Sequence, residues 1–405
     1  MDLGASSPLR VLYLSYNGLL DPLGQSQVLQ YLVGLAALGH RIVLVTYEKA
    51  DEWANESHRA ETRRKVDAAG IRWIPLTYRQ GGIGPLINIA NGMVLSFFLA
   101  IRHRIQIVHP RGYITAIIAG VLKTLLRVRF IFDPRSFWPD ERVEMGIWQA
   151  DSMPYGVAKR LEQWFLSASD AVVSLTEAGV RVMRSYPYLA GRQKRFVVIT
   201  TCTNLELFRP SPAPPEPGRP FTLGYLGTVG LPYLLDEVFA ALALARSIRS
   251  DSRLLVLNRR DHAYIRARAE ASGLPPEAIE LKSVSHDQIT AELWRMSVGI
   301  VFITPTPSRE CCAPTKLGEF LGAGIPCLAN AGVGDLERIL KGDETGVVIP
   351  SFEPSALEAG VRAVMDLAEQ PGIAERCVAS ARRHFALADG VRSYDRLYRD
   401  LVPQL

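Results

Sequence analysis

Ala313-Pro314-Thr315-Lys316-Leu317-Gly318-Glu319-Phe320-Leu321-Gly322-Ala323-Gly324-Ile325-Pro326 lies between two short apolar runs, at 299–303 and 326–329. Runs of that length read as buried strands. Pro314 and Thr315 mark a helix start between them, because proline lacks the N–H that a first helical turn leaves unbonded. Strand, helix and strand in this spacing form the repeating unit of a parallel sheet.

The same alternation extends outward in both directions. Strands are expected at 11–15, 42–47, 71–76, 105–109, 130–132, 171–175 and 196–199, and helices at 25–38, 57–69, 115–126, 156–167 and 177–185. A proline-rich stretch, RPSPAPPEPGRP at 209–220, has too few N–H groups for either and reads as an interdomain linker. Strands resume at 222–226, 254–257, 279–282, 299–303, 326–329 and 347–349. The fold class is therefore α/β, with two Rossmann-like parallel-sheet domains: 1–204, a linker at 205–220, then 221–389. A last amphipathic segment at 390–401 can pack back on the first domain or stay with the second. Ligands of such sheets bind beyond the carboxyl ends of the strands, so two facing domains imply a cleft.

Composition agrees with a folded chain of this size. The 405 residues are 48% hydrophobic and 21% charged, which excludes a disordered or fibrous protein. The net charge of +5 is unevenly spread. Up to Asn204 there are 24 basic and 16 acidic residues, a balance of +8; the remainder has 22 and 25, a balance of −3. A basic first half suits an anionic membrane face or a phosphorylated substrate. Nucleic acid is not expected, since no basic run is interleaved with stacking aromatics. Five cysteines without zinc spacing, and an N-terminus MDLGASSPLR without a secretory pattern, point to a reduced cytoplasmic protein. Residues 80–101 carry no charge and are flanked by Arg79 and Arg102. Their length is near the spanning minimum, but Pro85, Asn88, Asn91, Gly92 and Ser96 weaken that reading. A buried helix and one lying in the membrane interface, with Arg102, His103 and Arg104 at its end, stand beside it.

Three clusters carry chemistry. A helix starting at Thr315 offers unbonded N–H groups and a positive dipole end, suited to a diphosphate. Lys316 adds a cation in the same turn, and Glu319, one turn on, can accept two hydrogen bonds from a ribose diol. The plain alternative is a capped helix with a solvated lysine and glutamate. The turn Gly224-Tyr225-Leu226-Gly227-Thr228-Val229-Gly230 lets backbone approach a ligand, without spelling a dinucleotide fingerprint. Its counterpart in the first domain is Asn17-Gly18-Leu19-Leu20-Asp21-Pro22-Leu23-Gly24-Gln25, in which Gly24 would begin the following helix. Asp133-Pro134-Arg135-Ser136-Phe137-Trp138-Pro139-Asp140-Glu141-Arg142 follows a strand and suits a polyhydroxylated acceptor, or a salt-bridged loop. His109-Pro110-Arg111 ends another strand, where a lone histidine is more often packed than catalytic.

Together these motifs resemble the retaining nucleotide-sugar glycosyltransferases of the GT-B fold, family 4. The resemblance rests on DPLGQSQ (21–27), RSFWPDER (135–142), SASDAVVSLT (167–176), ITTCTNLELFRP (199–210), YLGTVG (225–230) and PTKLGEFLGAGIP (314–326). It implies that Glu319 is the second glutamate of an E-x7-E motif and binds the donor ribose. Thr315, Lys316 and Leu317 would hold the diphosphate, with Arg260 adding charge and Gly24 and Thr228 lining the donor. Neither a metal nor another cofactor is expected, because this arrangement does electrostatically what a divalent ion does elsewhere. Arg111, Asp140 and Glu141 are the candidate catalytic residues, contacting sugar or acceptor. Two positions depart from the family pattern: Cys311 stands where the first glutamate falls, with Glu310 one place early, and Arg111 stands where many relatives have histidine.

The function expected is sugar transfer from a nucleotide-diphosphate sugar to a glycan or lipid-linked acceptor in cell-surface polysaccharide synthesis. The setting expected is cytoplasmic, at the inner face of an anionic membrane. A catalytically silent nucleotide-sugar-binding protein and a nucleotide-sugar epimerase are the alternatives.

Overall fold

A computed structural model describes residues 7–213, 216–284 and 288–403. The chain forms two compact units, Met1–Ile199 with Leu387–Leu405, and Thr200–Ala386.

The first unit is built on a seven-stranded parallel sheet: β1 (Arg10–Ser15), β2 (Arg41–Glu48), β3 (Arg72–Thr77), β4 (Ile107–Arg111), β5 (Arg129–Phe132), β6 (Ala171–Ser174) and β7 (Phe196–Val198). Their order is β3-β2-β1-β4-β5-β6-β7. Strand β1 is central, with Ser15 opposite Thr46 on one side and Arg111 on the other. Its run RVLYLS is apolar almost throughout because helices cover both faces of the sheet. The order reverses at β1 and β4, so the carboxyl ends of those strands form the switch point where such sheets bind ligands.

The second unit repeats the plan with β8 (Thr222–Leu226), β9 (Arg253–Leu257), β10 (Ile279–Lys282), β11 (Val298–Val301), β12 (Cys327–Asn330) and β13 (Gly346–Ile349). The order is β10-β9-β8-β11-β12-β13, placing the switch point at β8 and β11. Two apolar clusters fill its faces, one around Leu317, Phe320 and Phe385 and the other around Tyr225, Phe239 and Phe302. All thirteen strands fall within two residues of the sequence-based expectation.

The boundaries differ from those expected. Residues 200–220 belong to the second unit, and the chain passes between units at Ile199 and again at Ala386. The reason is the apolar run before the prolines: Phe208 is buried in the second unit's core, with Leu205 and Leu207 packed beside it. The proline-rich stretch is clasped there too. The Trp294 indole donates to the Arg209 carbonyl at 2.8 Å, and Arg219 donates to the Trp294 carbonyl at 2.8 Å. Residues 214–215 of that stretch lie outside the described residues. The C-terminal helix, Leu387–Leu401, belongs to the first unit and packs against the helix Gln30–Ala37. Its Asp395 accepts from the His40 ring at 2.8 Å.

Residues Gly84–Arg102 form one helix, the crossover between β3 and β4. By length and composition it could cross a membrane. One face nevertheless lies against the first unit, where Asn88, Gly92 and Ser96 are buried.

Candidate functional site

In the second unit the switch point is built around the helix Thr315–Gly322, with Pro314 as its N-cap residue. The helix ends in a Schellman arrangement: Gly324, at φ +79°, donates to the Leu321 carbonyl at 3.0 Å, and Ile325 donates to Phe320 at 2.9 Å. Gly318 and Gly322 let it lie close to the 203–208 segment. A Cβ on Gly318 would come within 2.4 Å of the Thr203 hydroxyl, and one on Gly322 within 2.8 Å of the Phe208 carbonyl. The loop just before the helix is held by Thr201, whose hydroxyl donates to the Ala313 carbonyl at 2.8 Å. These contacts fix the direction in which the first-turn N–H groups point.

Lys316, in that first turn, is buried. Its ammonium sits 4.4 Å from the centre of the Tyr225 ring and 4.3 Å from that of Tyr233. Two aromatic faces supply attraction without neutralising the charge. Burial pulls the Lys316 pKa down to about 7, with Glu319 acting the other way. Burial pushes the Glu319 carboxyl up to about 7, against the pull of Lys316. Gly227, at φ +106°, places the loop after β8 beside the lysine: a Cβ there would stand 3.8 Å from Nζ. Thr228 closes the loop, its carbonyl accepting from the Tyr225 hydroxyl at 2.5 Å. Thr228, Thr315, Lys316 and Leu317 are thus brought together; Leu317 turns its side chain into the core, and its N–H donates to the Pro314 carbonyl at 3.1 Å.

Arg260 is exposed in the turn after β9. Buried Asn258 shapes that turn, its Oδ1 accepting from the N–H groups of Arg260 at 3.0 Å and Asp261 at 2.7 Å. The Asn258 amide also donates to the Gly227 carbonyl at 3.0 Å, joining the Arg260 turn to the loop after β8. Cys311 is wholly buried at the end of the 3-10 turn Pro307–Cys311, and Glu310 is half-buried in the same turn. The turn is pinned through the Arg309 carbonyl, which accepts from Cys312 and from Gly334, both at 2.9 Å.

The first unit places its candidates differently. The helix after β1 begins at Pro22, so Gly24 lies within its first turn and does not begin it. Glycine is required there by packing: a Cβ would meet the Gly18 carbonyl at 2.1 Å. The loop is held from below by buried Glu48, whose carboxylate accepts from the N–H groups of Leu19 at 2.7 Å and Leu20 at 3.2 Å. Burial raises the Glu48 pKa, against those bonds. Arg111 is buried at the end of β4, hydrogen-bonded to Tyr13, and burial with Arg135 nearby lowers its pKa. His109 is packed as expected, with Nδ1 2.7 Å from the Tyr398 hydroxyl and Nε2 3.4 Å from Asp133. Burial lowers its pKa, favouring the neutral ring. Asp140 accepts from the Tyr155 hydroxyl at 2.8 Å and pairs with Lys159 at 3.0 Å, while Glu141 accepts from the Ser136 hydroxyl at 3.0 Å. Arg111 is thus tied to Tyr13, and Asp140 to Tyr155 and Lys159.

Tyr233, Asn258 and Glu48 were not singled out by sequence reasoning, and Tyr225 only as part of a turn. Each is an ordinary residue at a strand end or in a turn; only the fold aims it. Among the described residues no group of three His, Cys, Asp or Glu side chains is placed to hold a metal ion.

Residues 24–202 match the glycosyl transferase 4-like domain family. No curated protein sequence matches the chain. Among solved structures, sucrose-phosphate synthase from Thermosynechococcus elongatus is similar at TM-score 0.77 and 16% identity, covering 97% of this chain and 99% of that one. A glycosyltransferase from Rickettsia africae matches at TM-score 0.70 and 15% identity, over 99% and 100% of the two chains. Anabaena HepE, solved with UDP and glucose, matches at TM-score 0.68 and 12% identity, over 96% and 99%. Residues 24–202 thus match a glycosyl transferase 4-like domain, and the chain shares the two-sheet GT-B fold of these structures over nearly its whole length.

Proposed function

We propose that the chain is a retaining glycosyltransferase that moves a sugar from a nucleotide-diphosphate sugar to a glycan or lipid-linked acceptor in cell-surface polysaccharide synthesis. It would act in the cytoplasm, at the inner face of the membrane. The observation that carries the reading is Lys316, buried between Tyr225 and Tyr233 in the first turn of the helix Thr315–Gly322. A buried cation without a carboxylate partner, at a switch point, is arranged for an anion that arrives with the substrate. The diphosphate would lie against the first-turn N–H groups and the Lys316 ammonium, with Arg260 adding charge and Glu319 accepting from the ribose hydroxyls. Charge developing on the leaving phosphate is then met by preorganised donors, so no metal is needed. The acceptor hydroxyl attacks on the face the phosphate leaves, and that phosphate takes its proton. Arg111 and Glu141 are the proposed sugar or acceptor contacts. Asp140, tied to Tyr155 and Lys159, would position the neighbouring loop.

The test is a panel of UDP-, GDP- and ADP-sugars, reading nucleoside diphosphate release with and without acceptor and the anomeric configuration of the product. Release from one donor with retained configuration supports the reading; inversion removes the mechanism. Buried Cys311 at the position of the motif's first glutamate favours a second reading, a silent nucleotide-sugar binder. Thermal stabilisation by a donor, with turnover by no donor and acceptor pair, selects it.

A further inference from the structure

The helix Gly84–Arg102 is amphipathic in the reverse sense for a water-soluble surface. Its buried face carries mainly small or polar side chains, Gly84, Asn88, Gly92, Ser96 and Ala100 at four-residue steps, with Leu99 beside them. This face is tightly built. A Cβ on Gly92 would come within 1.9 Å of the Tyr47 hydroxyl oxygen, and that hydroxyl donates to the Asn88 carbonyl at 2.9 Å. The Asn88 amide donates to the Tyr16 hydroxyl at 3.0 Å and to the Arg79 carbonyl at 2.9 Å. Large apolar side chains point the other way. Leu86, Val94, Phe98 and Ile101 are each more than half exposed, and with Ile83 before the helix and exposed Ala90 between Leu86 and Val94 they follow three- and four-residue steps along one stripe. The polar positions are committed to the fold, so the apolar stripe is not a core face left uncovered by chance. Contiguous exposure of this kind marks a surface that is covered in use.

Charge identifies the cover. From Ala68 to Phe132 the sequence has eight lysines and arginines and no aspartate or glutamate; Arg111 is buried and Lys123 and Arg129 pair with Asp170, which leaves Arg72, Arg79, Arg102, Arg104 and Arg127. Arg79 precedes the stripe and Arg102 and Arg104 follow it, all exposed. The next helix, Tyr113–Leu126, packs alongside and ends in exposed Leu125 and Arg127. An apolar strip bordered by cations, with no carboxylate in the surrounding sequence, complements a bilayer whose headgroups are anionic and whose acyl boundary is apolar. We infer that the Gly84–Arg102 stripe is a membrane-docking surface of the first unit. It seats the protein on anionic lipid with the helix axis along the interface. This deepens the acceptor half of the proposed function, since a lipid-linked acceptor would be met at that surface.

The experiment is vesicle flotation of the full chain, using phosphatidylcholine vesicles with and without phosphatidylglycerol. Binding is expected to the anionic vesicles, weakened about tenfold or more by the double variant Val94→Glu/Phe98→Glu and reduced by Arg102→Glu/Arg104→Glu or by high salt. Both sites are exposed, so melting temperature and donor binding should stay unchanged and report an intact fold. Binding that survives Val94→Glu/Phe98→Glu, or no binding to anionic vesicles, overturns the inference. So does sedimentation showing a dimer that this variant dissociates, which would make a second copy the cover. Retention in cell membranes through an alkaline wash would instead establish a span. Nucleoside diphosphate release in vesicle-free solution is read in parallel, so turnover without vesicle binding breaks the surface alone. Vesicle binding without turnover breaks the enzyme reading alone.

Discussion

Just after β5 in the first unit, Arg135 is largely buried at φ +65°, with its guanidinium 3.6 Å from the Asp133 carboxylate. Around that pair stand His109 and, from the C-terminal helix, Tyr394, whose hydroxyl donates to Asp133 at 3.1 Å. Burial alone would raise the Asp133 pKa, but Arg135 and His109 hold it below its usual value. Lys316 in the second unit is as deeply buried, yet no carboxylate lies within ion-pair distance of it among the described residues. Tyrosine faces surround it, and its pKa falls to about 7. One cation is neutralised by a carboxylate of the chain, while the other has only aromatic faces around its ammonium. Burial costs both of them, and only the first is offset by an ion pair.

The comparison can be broken most forcefully at Asp133. Asp133→Ala would leave Arg135 buried without its carboxylate and should cost about 3–5 kcal/mol, seen as an earlier first-unit transition in urea. A near-neutral result would mean that Arg135 is already solvated. Lys316→Met should act in the opposite sense. Because the folded pKa of Lys316 lies below its unfolded value, keeping it charged costs stability as pH falls toward 7. The variant should therefore melt a few degrees higher while binding nucleotide sugar roughly 10–100-fold more weakly. Lower melting together with unchanged binding would make Lys316 an ordinary packed residue. A pH series sharpens the point. Below pH 7 the lysine already carries its proton, and above it a bound diphosphate must draw one in. Donor affinity should fall by up to about tenfold between pH 7 and 8, with proton uptake measurable by calorimetry in buffers of different ionisation heat. Glu319 titrates in the same range, so the slope should persist in Glu319→Gln and vanish in Lys316→Met. The smallest effect expected is at the clasp of the C-terminal helix. Tyr398→Phe removes the 2.7 Å bond to His109 and should cost about 1 kcal/mol in first-unit stability, without altering donor binding.

Much of the second unit's site was legible because its signals are local. A proline at a helix start and a positive-φ glycine in a turn act through their own backbone, so Pro314, Gly227 and Gly324 could be read in place. The walls of the Lys316 pocket were not legible, because Tyr225 and Tyr233 lie some ninety residues away in sequence and meet the lysine only through strand order. The same holds in the first unit. His109 and Asp133 end adjacent strands, and Tyr394 and Tyr398 arrive from the far terminus. The expected linker misled for a related reason: prolines announced a break, but Leu205, Leu207 and Phe208 just before them decided which core the segment joins.

By itself the sequence determined two parallel-sheet domains, the positions of thirteen strands and the helix start at Thr315, since apolar periodicity and terminal residues act over a few neighbours. Tertiary structure alone decided that Lys316 is buried and Arg260 exposed, that Asp140 is held by Lys159, and that residues 84–102 turn their apolar side outward. Those outcomes depend on which strands adjoin and what each helix covers, and desolvation follows from that arrangement.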